Sequence, residues 1–334
     1  MRCPTKYHLL KKASLLLILF LSTMYFFYYP NERQDQRTQV TEKSIKVPPQ
    51  TWFQYQFEKS LKLSNFEVKS SDKWVKWKRS YLNVYFPTIK TKFTIIPKAG
   101  STNWLVALLL AEGALKNITE FRNLDRIHET RVNKFRLIYR KDFLSKKQLL
   151  SNAFSFVVIR NPWTRMASGY QDKLSRERAY KYKHGLRLCS EILKKVRGVT
   201  DETIELGDLH PTFEEFLKWL VMEKGQVDFH FSPQHEIVSH STRRYDFIAP
   251  LEYSDVLSSK LWRNVDVNTT LRGSDHQITD PRLQTTTLRA KEWISKLDPV
   301  LVERVYEVYK ADFALANYSN VSDTNFPLPL YYHM

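Results

Sequence analysis

The chain has 334 residues, 43% hydrophobic and 14% aromatic, with 52 Lys and Arg against 35 Asp and Glu and a net charge of +17. That length can bury a sizeable core, as one large α/β domain or two small ones. Only 8 glycines and the lack of an internal repeat exclude collagen-like, solenoid and propeller designs. The charge favours polyanionic partners (nucleic acid, anionic lipid, nucleotide phosphates, acidic glycans) without choosing among them. The two cysteines, Cys3 and Cys189, rule out a disulfide framework and a Cys-based zinc site.

The first element is apolar. Residues 13–29 read ASLLLILFLSTMYFFYY, without a charge, behind Arg2, Lys6, Lys11 and Lys12. The expectation is a transmembrane signal anchor at 13–29, a cytosolic tail at 1–12 and a lumenal remainder. Bulky aromatics stand where a cleavage site would need small residues, which argues against a cleaved signal peptide. Four sequons, at Asn117, Asn268, Asn317 and Asn320, agree with a lumenal chain. Residues 30–80 are polar and mixed in charge and read as a stem, leaving 81–334 as the folded domain.

Within that domain a strand at 93–96 leads through a loop at 97–102 into a helix at 103–112, whose apolar face carries Trp104, Leu105, Leu108 and Leu109. A second unit repeats the pattern. The run FSFVVI at 154–159 has the continuous apolarity of a strand covered on both faces, and Pro162 suits the first turn of a helix running to 176. Thr212-Phe-Glu-Glu is a capping box opening a helix with Phe216, Leu217 and Leu220. A strand follows at 245–249, and Asp298-Pro299 starts a last helix bearing Leu301, Val305, Tyr306, Val308 and Phe313. Alternating strands and helices predict an α/β fold: a single parallel sheet with helices on both faces.

Two loops carry chemistry. Pro97-Lys98-Ala99-Gly100-Ser101-Thr102-Asn103-Trp104 leaves a strand and enters a helix, so backbone N–H groups and the helix N-terminus converge on one spot that attracts an oxyanion. Lys98 adds a full charge; Ser101 and Thr102 add hydroxyls. The nucleoside-triphosphate P-loop pattern is not met, because the second glycine before a lysine–hydroxyl pair is missing. In the second loop, Arg160 ends a buried strand and can fork onto a phosphate, with Ser168 on the adjoining helix adding a hydroxyl. Read singly, each loop also fits a plain structural turn, Arg160 an ion-pair residue and Ser168 a small packing residue.

Taken together, the two loops resemble the 5′-phosphosulfate and 3′-phosphate binding motifs of the sulfotransferase superfamily. Within it the chain is similar to the Golgi carbohydrate sulfotransferases of the HNK-1 and chondroitin/dermatan 4-sulfotransferase type. The matching features are Pro-Lys-x-x-x-Thr-Asn-Trp at 97–104, Val-x-Arg-Asn-Pro-Trp-x-Arg at 158–165 continued by Ser-Gly-Tyr-Gln-Asp-Lys at 168–173, Phe-His-Phe-Ser-Pro-Gln at 229–234, Tyr-Asp-Phe-Ile at 245–248, and Val-Tyr-x-x-Tyr at 305–309 with Asp312-Phe313. The likeness covers about 90 to 320 and is poor at 176–225. Two departures stand out: cysteines common in the family between the His block and the Tyr-Asp-Phe strand are missing from 236–244, and Gly100-Ser101 replaces a frequent Ala-Cys.

The resemblance implies a Golgi membrane protein that uses 3′-phosphoadenosine 5′-phosphosulfate (PAPS) as donor, needs no metal, and acts on an anionic glycan rather than a nucleic acid. It implies a donor site of Lys98, Ala99, Gly100, Ser101, Thr102, Asn103, Arg160 and Ser168, with Lys98 stabilising the leaving group. His230 is the first choice as general base, ahead of His128, His210 and His235; a ring between two aromatics also suits a packed core. Arg165, Lys173 and Arg176 are candidates to line the acceptor groove. Two rivals remain at this point: a lumenal nucleotide phosphotransferase, which would need a metal-binding carboxylate near the first loop, and a non-catalytic glycan-binding protein that retains the fold.

Overall fold

Five strands form one sheet among the described residues: β1 (Asn83–Phe86), β2 (Thr91–Thr94), β3 (Ile138–Tyr139), β4 (Phe154–Ile159) and β5 (Phe247–Pro250), in the order β3-β1-β2-β4-β5. The computed structural model describes residues 50, 54–56, 58–59, 83–115, 138–139, 152–179, 183–200, 210–225, 227–241, 245–253 and 282–318, all within the unit Val47–Met334. β2, β4 and β5 run parallel, with Phe93 opposite Phe156 and Phe156 opposite Phe247. β1 runs antiparallel to both β2 and β3. The expected all-parallel sheet is therefore a mixed one. Residues 87–90 are all that join β1 to β2, and so short a link can only make a hairpin, since a parallel crossover needs a dozen residues or more.

The helices are α1 (Ser101–Ala111), α2 (Pro162–Lys173), α3 (Arg176–Ala179), α4 (Lys183–Arg197), α5 (Phe213–Met222), α6 (Gln234–Ser241), α7 (Arg282–Ile294) and α8 (Pro299–Ala314). They cover both faces of the sheet. α1 buries Trp104, Leu105, Val106, Leu108 and Leu109, and Trp104 meets Phe156 edge-on at 5.6 Å while Phe156 stacks on Phe93 at 4.7 Å. α5 starts at the expected capping box, Thr212 Oγ1 accepting from Glu215 N. α8 starts at Asp298, whose side chain accepts from Val300 N. On the edge strand β5, the Gln50 amide pairs with the Ile248 backbone in both directions, at 2.7 and 3.0 Å, which shields that edge.

The membrane expectations are corrected. No helix of the described residues is long and apolar enough to cross a membrane. The segment 13–29 lies outside those residues, as do the cytosolic tail at 1–12 and most of the 30–80 stem. With no spanning helix behind them, the anchor, the membrane as partner and the single-pass Golgi location are dropped. Of the four sequons only Asn317 is described, in a turn with φ +51°. Cys189 is a buried free thiol in α4, and burial pushes its pKa up to about 12.

Candidate active site

The carboxyl ends of β2 and β4 lie side by side and each runs into a loop and a helix. After β2 the chain turns at 97–100 with two left-handed residues, Lys98 at φ +69° and Gly100 at φ +70°. At Gly100 a β-carbon would stand 2.7 Å from Leu251 Cδ1, so both the dihedral and the space call for glycine. Lys98 has no such excuse, and a left-handed non-glycine residue costs on the order of 1–3 kcal/mol. Its neighbours hold it there: Arg160 Nη1 donates to Lys98 O at 2.9 Å, Arg165 Nε to Pro97 O at 3.0 Å, and Ala99 N to Ile96 O at 3.2 Å.

The second loop is equally constrained. Asn161 caps α2, accepting from Trp163 N and Thr164 N. Arg160, 2% exposed, gives its Nε to Thr164 Oγ1 at 3.1 Å. Its backbone is matched by the Gln234 side chain, which accepts from Arg160 N at 2.9 Å and donates to Arg160 O at 2.7 Å. Behind it, half-buried Glu252 accepts from Asn161 N at 2.9 Å and from the Tyr318 hydroxyl at 2.8 Å, and loss of solvent pushes its pKa up.

α2 is the hub. A β-carbon on Gly169 would lie 2.6 Å from Phe231 Cε1 and 3.8 Å from Lys98 Cγ, so the missing side chain lets the Lys98 stem and the His230 block close on the same point of the helix. One turn on, Asp172 receives Lys98 Nζ and Lys173 Nζ, each at 3.1 Å. Burial draws the Lys98 pKa down; the Asp172 charge and hydrogen bond oppose that. The same two ammonium groups outweigh burial at Asp172 and hold its carboxyl far below the usual range.

His230 stands beside a buried carboxylate. Its Nδ1 lies 2.5 Å from Asp228 Oδ1, and its backbone N–H donates to the same oxygen at 3.0 Å. His184 of α4 brings Nε2 to 3.1 Å from Asp228 Oδ2. Burial lowers the His230 pKa to about 4 despite Asp228, with Lys173 and Lys98 pushing the same way. The His184, Asp228 and His230 ligand atoms lie within 4.8 Å of one another. Contacts of 2.5 and 3.1 Å are tighter than the roughly 3.3 Å edge of a tetrahedral zinc shell with ligands at about 2.05 Å. The cluster has the spacing of paired rings on a carboxylate.

The structure thus brings together Lys98, Ala99, Gly100, Ser101, Thr102 and Asn103 at the opening of α1, with Arg160 bracing their loop and Ser168 on α2 next to Gly169. Ala99 and Ser101 are buried, while Thr102, Asn103 and Ser168 are half-buried. Among the other histidines, His128 lies outside the described residues, His210 precedes α5, and His235 is buried against Asp312 at 2.7 Å. Arg165 does not line a groove: it is 1% exposed and ties Pro97 O to Ser232 O, 3.0 and 2.9 Å away. Lys173 is half-buried and Arg176 exposed. The sequence reading passed over Asp172, Asp228, His184 and Glu252. Only Asp228, two residues before His230, had a local signal; the others reach the site from different elements.

A family model described as the sulfotransferase family matches residues 84–319. The chain belongs to the sulfotransferase family. This sulfotransferase is 24% identical over 231 residues to carbohydrate sulfotransferase 14 of Danio rerio, covering 68% of this chain and 59% of that one. It is 23% identical over 247 residues to carbohydrate sulfotransferase 10 of Mus musculus (69% and 64%) and 25% identical over 247 residues to carbohydrate sulfotransferase 12 of the same species (68% and 57%). The match to the first of these, at 59% of its length, leaves much of that relative unmatched. No solved structure matches. The site of this sulfotransferase suits an anionic donor: the first turn of α1 begins Ser-Thr-Asn after a glycine with no side chain to cap it, and Lys98 sits at its mouth.

Proposed function

We propose that this sulfotransferase transfers a sulfuryl group from PAPS to a hydroxyl of an anionic glycan, of the kind handled by the HNK-1 and chondroitin/dermatan 4-sulfotransferase branch, with its catalytic domain at 81–334. The observation that carries the reading is the meeting at Gly169 of the stem of half-buried Lys98 and Phe231, the neighbour of His230. PAPS, when bound, supplies the activated sulfuryl group and a phosphate leaving group.

The residues divide the work. Lys98 holds positive charge where the leaving phosphate oxygen becomes negative, and the α1 backbone N–H groups with Ser101, Thr102 and Asn103 orient the phosphosulfate. Such preorganised donors act strongly in a site shielded from water. Arg160 and Ser168 serve the 3′-phosphate, Arg160 also bracing the Lys98 carbonyl. His230 takes the proton of the sugar hydroxyl. A pKa of about 4 keeps it neutral, and so able to accept that proton, throughout the physiological range. Lys173 and Arg176 face an acidic acceptor.

The test incubates the purified chain with sulfate-labelled PAPS and a panel of desulfated glycans, with ATP as competitor. Label should enter chondroitin-type chains, and excess ATP should compete weakly. Phosphate transfer from ATP, or label on tyrosine or a small phenol in place of sugar, refutes the reading.

A further inference from the structure

The His184–Asp228–His230 cluster joins α4 on one side to the Phe-His-Phe-Ser-Pro-Gln block on the other. Asp228 is the centre. Its side chain is 2% exposed, against 16% for His230 and 35% for His184. As a carboxylate it can only accept, so the short contact puts the proton of neutral His230 on Nδ1 and leaves the lone pair on Nε2. The backbone fixes this arrangement. Asp228 O receives Phe231 N and Ser232 N at 2.8 and 3.0 Å, and Ser232 O is held in turn by Arg165. The loop is thereby pinned to the same arginine that holds the Lys98 turn.

His184 meets the second carboxylate oxygen. Its Nε2 stands 3.1 Å from Asp228 Oδ2. The ring lies 5.9 Å from that of His230, and Arg187 approaches its Nδ1 at 3.4 Å. Among the described residues, the charged and titratable groups around His230 include Asp228 on its own loop, His184 on α4, Lys98 before α1 and Lys173 on α2.

We propose that Asp228 is a positioning residue that holds His230 in the Nδ1–H tautomer with Nε2 turned to the acceptor hydroxyl, and that His184 steadies Asp228 from α4. This rests on His230 being the general base. Asp228 touches neither donor nor acceptor, and it acts through His230. The balance of the step is simple: Nε2 gains the hydroxyl proton as the acceptor oxygen bonds to sulfur and the sulfur–oxygen bond to the leaving phosphate breaks. Asp228 stays ionised and stabilises the imidazolium so formed.

The experiment compares His230→Gln, Asp228→Asn and His184→Gln in the full chain, measuring kcat, KM for a desulfated glycan, and PAPS affinity by calorimetry. It adds the ¹⁵N spectrum of histidine-labelled protein, with the His230 signals assigned by their loss in His230→Gln. Asp228→Asn should lower kcat about 10²- to 10⁴-fold, as expected when an imidazole loses the partner that sets its tautomer, with PAPS affinity held within about threefold. His184→Gln should lower kcat about 3- to 10-fold, a loss below that of the base itself. The wild-type His230 signal should be that of the Nδ1–H tautomer and should shift in Asp228→Asn. An Nε2–H tautomer in the wild type overturns the proposal whether or not the variants fold. So does full kcat in Asp228→Asn when His230→Gln is inactive, which leaves the base assignment standing. Full activity in His230→Gln removes the base assignment and this proposal together.

Discussion

Lys98 sits in a backbone conformation a lysine avoids, and three neighbours hold it there. Spending strain on one side chain is understandable if its charge is needed at one place. Lys98→Ala should cut transfer of labelled sulfate by about 10²-fold or more, the usual loss when a donor aimed at developing negative charge is removed. Thermal stability should change little, because alanine keeps the left-handed cost, an ammonium is no longer desolvated, and Asp172 loses Lys98 but keeps Lys173. Near-wild-type transfer would refute the role. The acid behaviour follows from His230 and Asp228. The unfolded chain protonates this histidine near 6.5 and the folded one only near 4, so stability falls as pH drops through that window. Asp228, whose folded pKa is depressed, contributes stability above its unfolded value of 3.8 that is lost only in stronger acid. Melting temperatures from pH 7.5 downward should decline, and the decline between about 6.5 and 4 should flatten in His230→Gln. An unchanged slope would mean that His230 is not the buried neutral group described here.

Among the elements, α2 does most to make the site. Arg160, just before it, and Arg165, in its first turn, reach back to successive carbonyls of the 97–100 turn, and its glycine admits both Lys98 and Phe231. Arg165→Lys should be costly for a nominally conservative change, since an ammonium cannot span Pro97 O and Ser232 O as the planar fork does. Losing one such charge-assisted bond should cost about 1.5–3 kcal/mol in urea unfolding and weaken PAPS binding as the turn slackens. Wild-type values for both would show the clamp to be dispensable. The cap of α5 offers a contrast, since its hydrogen bonds stay among Thr212, Glu215 and Arg197. Thr212→Ala removes the capping box and should cost about 1 kcal/mol with kcat unchanged. Arg197, which reaches Glu215 of the same box from α4, lowers the Glu215 pKa to about 2. A kcat loss in Thr212→Ala would show that the cap acts on the site, by way of Phe216 against Phe231 at 4.8 Å.

For the molecule as a whole, the +17 charge is the property that bears on the acceptor. Exposed charges attract a polyanion over a Debye length of about 10 Å at 0.1 M salt. On the proposed reading, KM for a chondroitin-type chain should rise with added salt while kcat holds steady. Preferential, salt-insensitive labelling of a neutral glycan would remove the polyanion argument and leave the sulfotransferase assignment in place.

Local pattern was enough to read β4, the capping box of α5, the Asp298 start of α8 and the two strand–loop–helix junctions, because strand apolarity, caps and such junctions are written in neighbouring residues. It was not enough for β1, whose hairpin with β2 makes the sheet mixed, nor for α4, α6 and α7, whose partners are distant in the chain. The same division runs through the site. Lys98, Arg160 and His230 carry charge or titrate, and Ser168 offers a hydroxyl, within motifs, so the sequence alone singles them out as candidates. Asp172, Asp228, His184 and the turning of Arg165 from groove residue to buried clamp depend on side chains brought from separate elements. Those pairings are long-range contacts between polar groups, and only packing the helices on the sheet decides them.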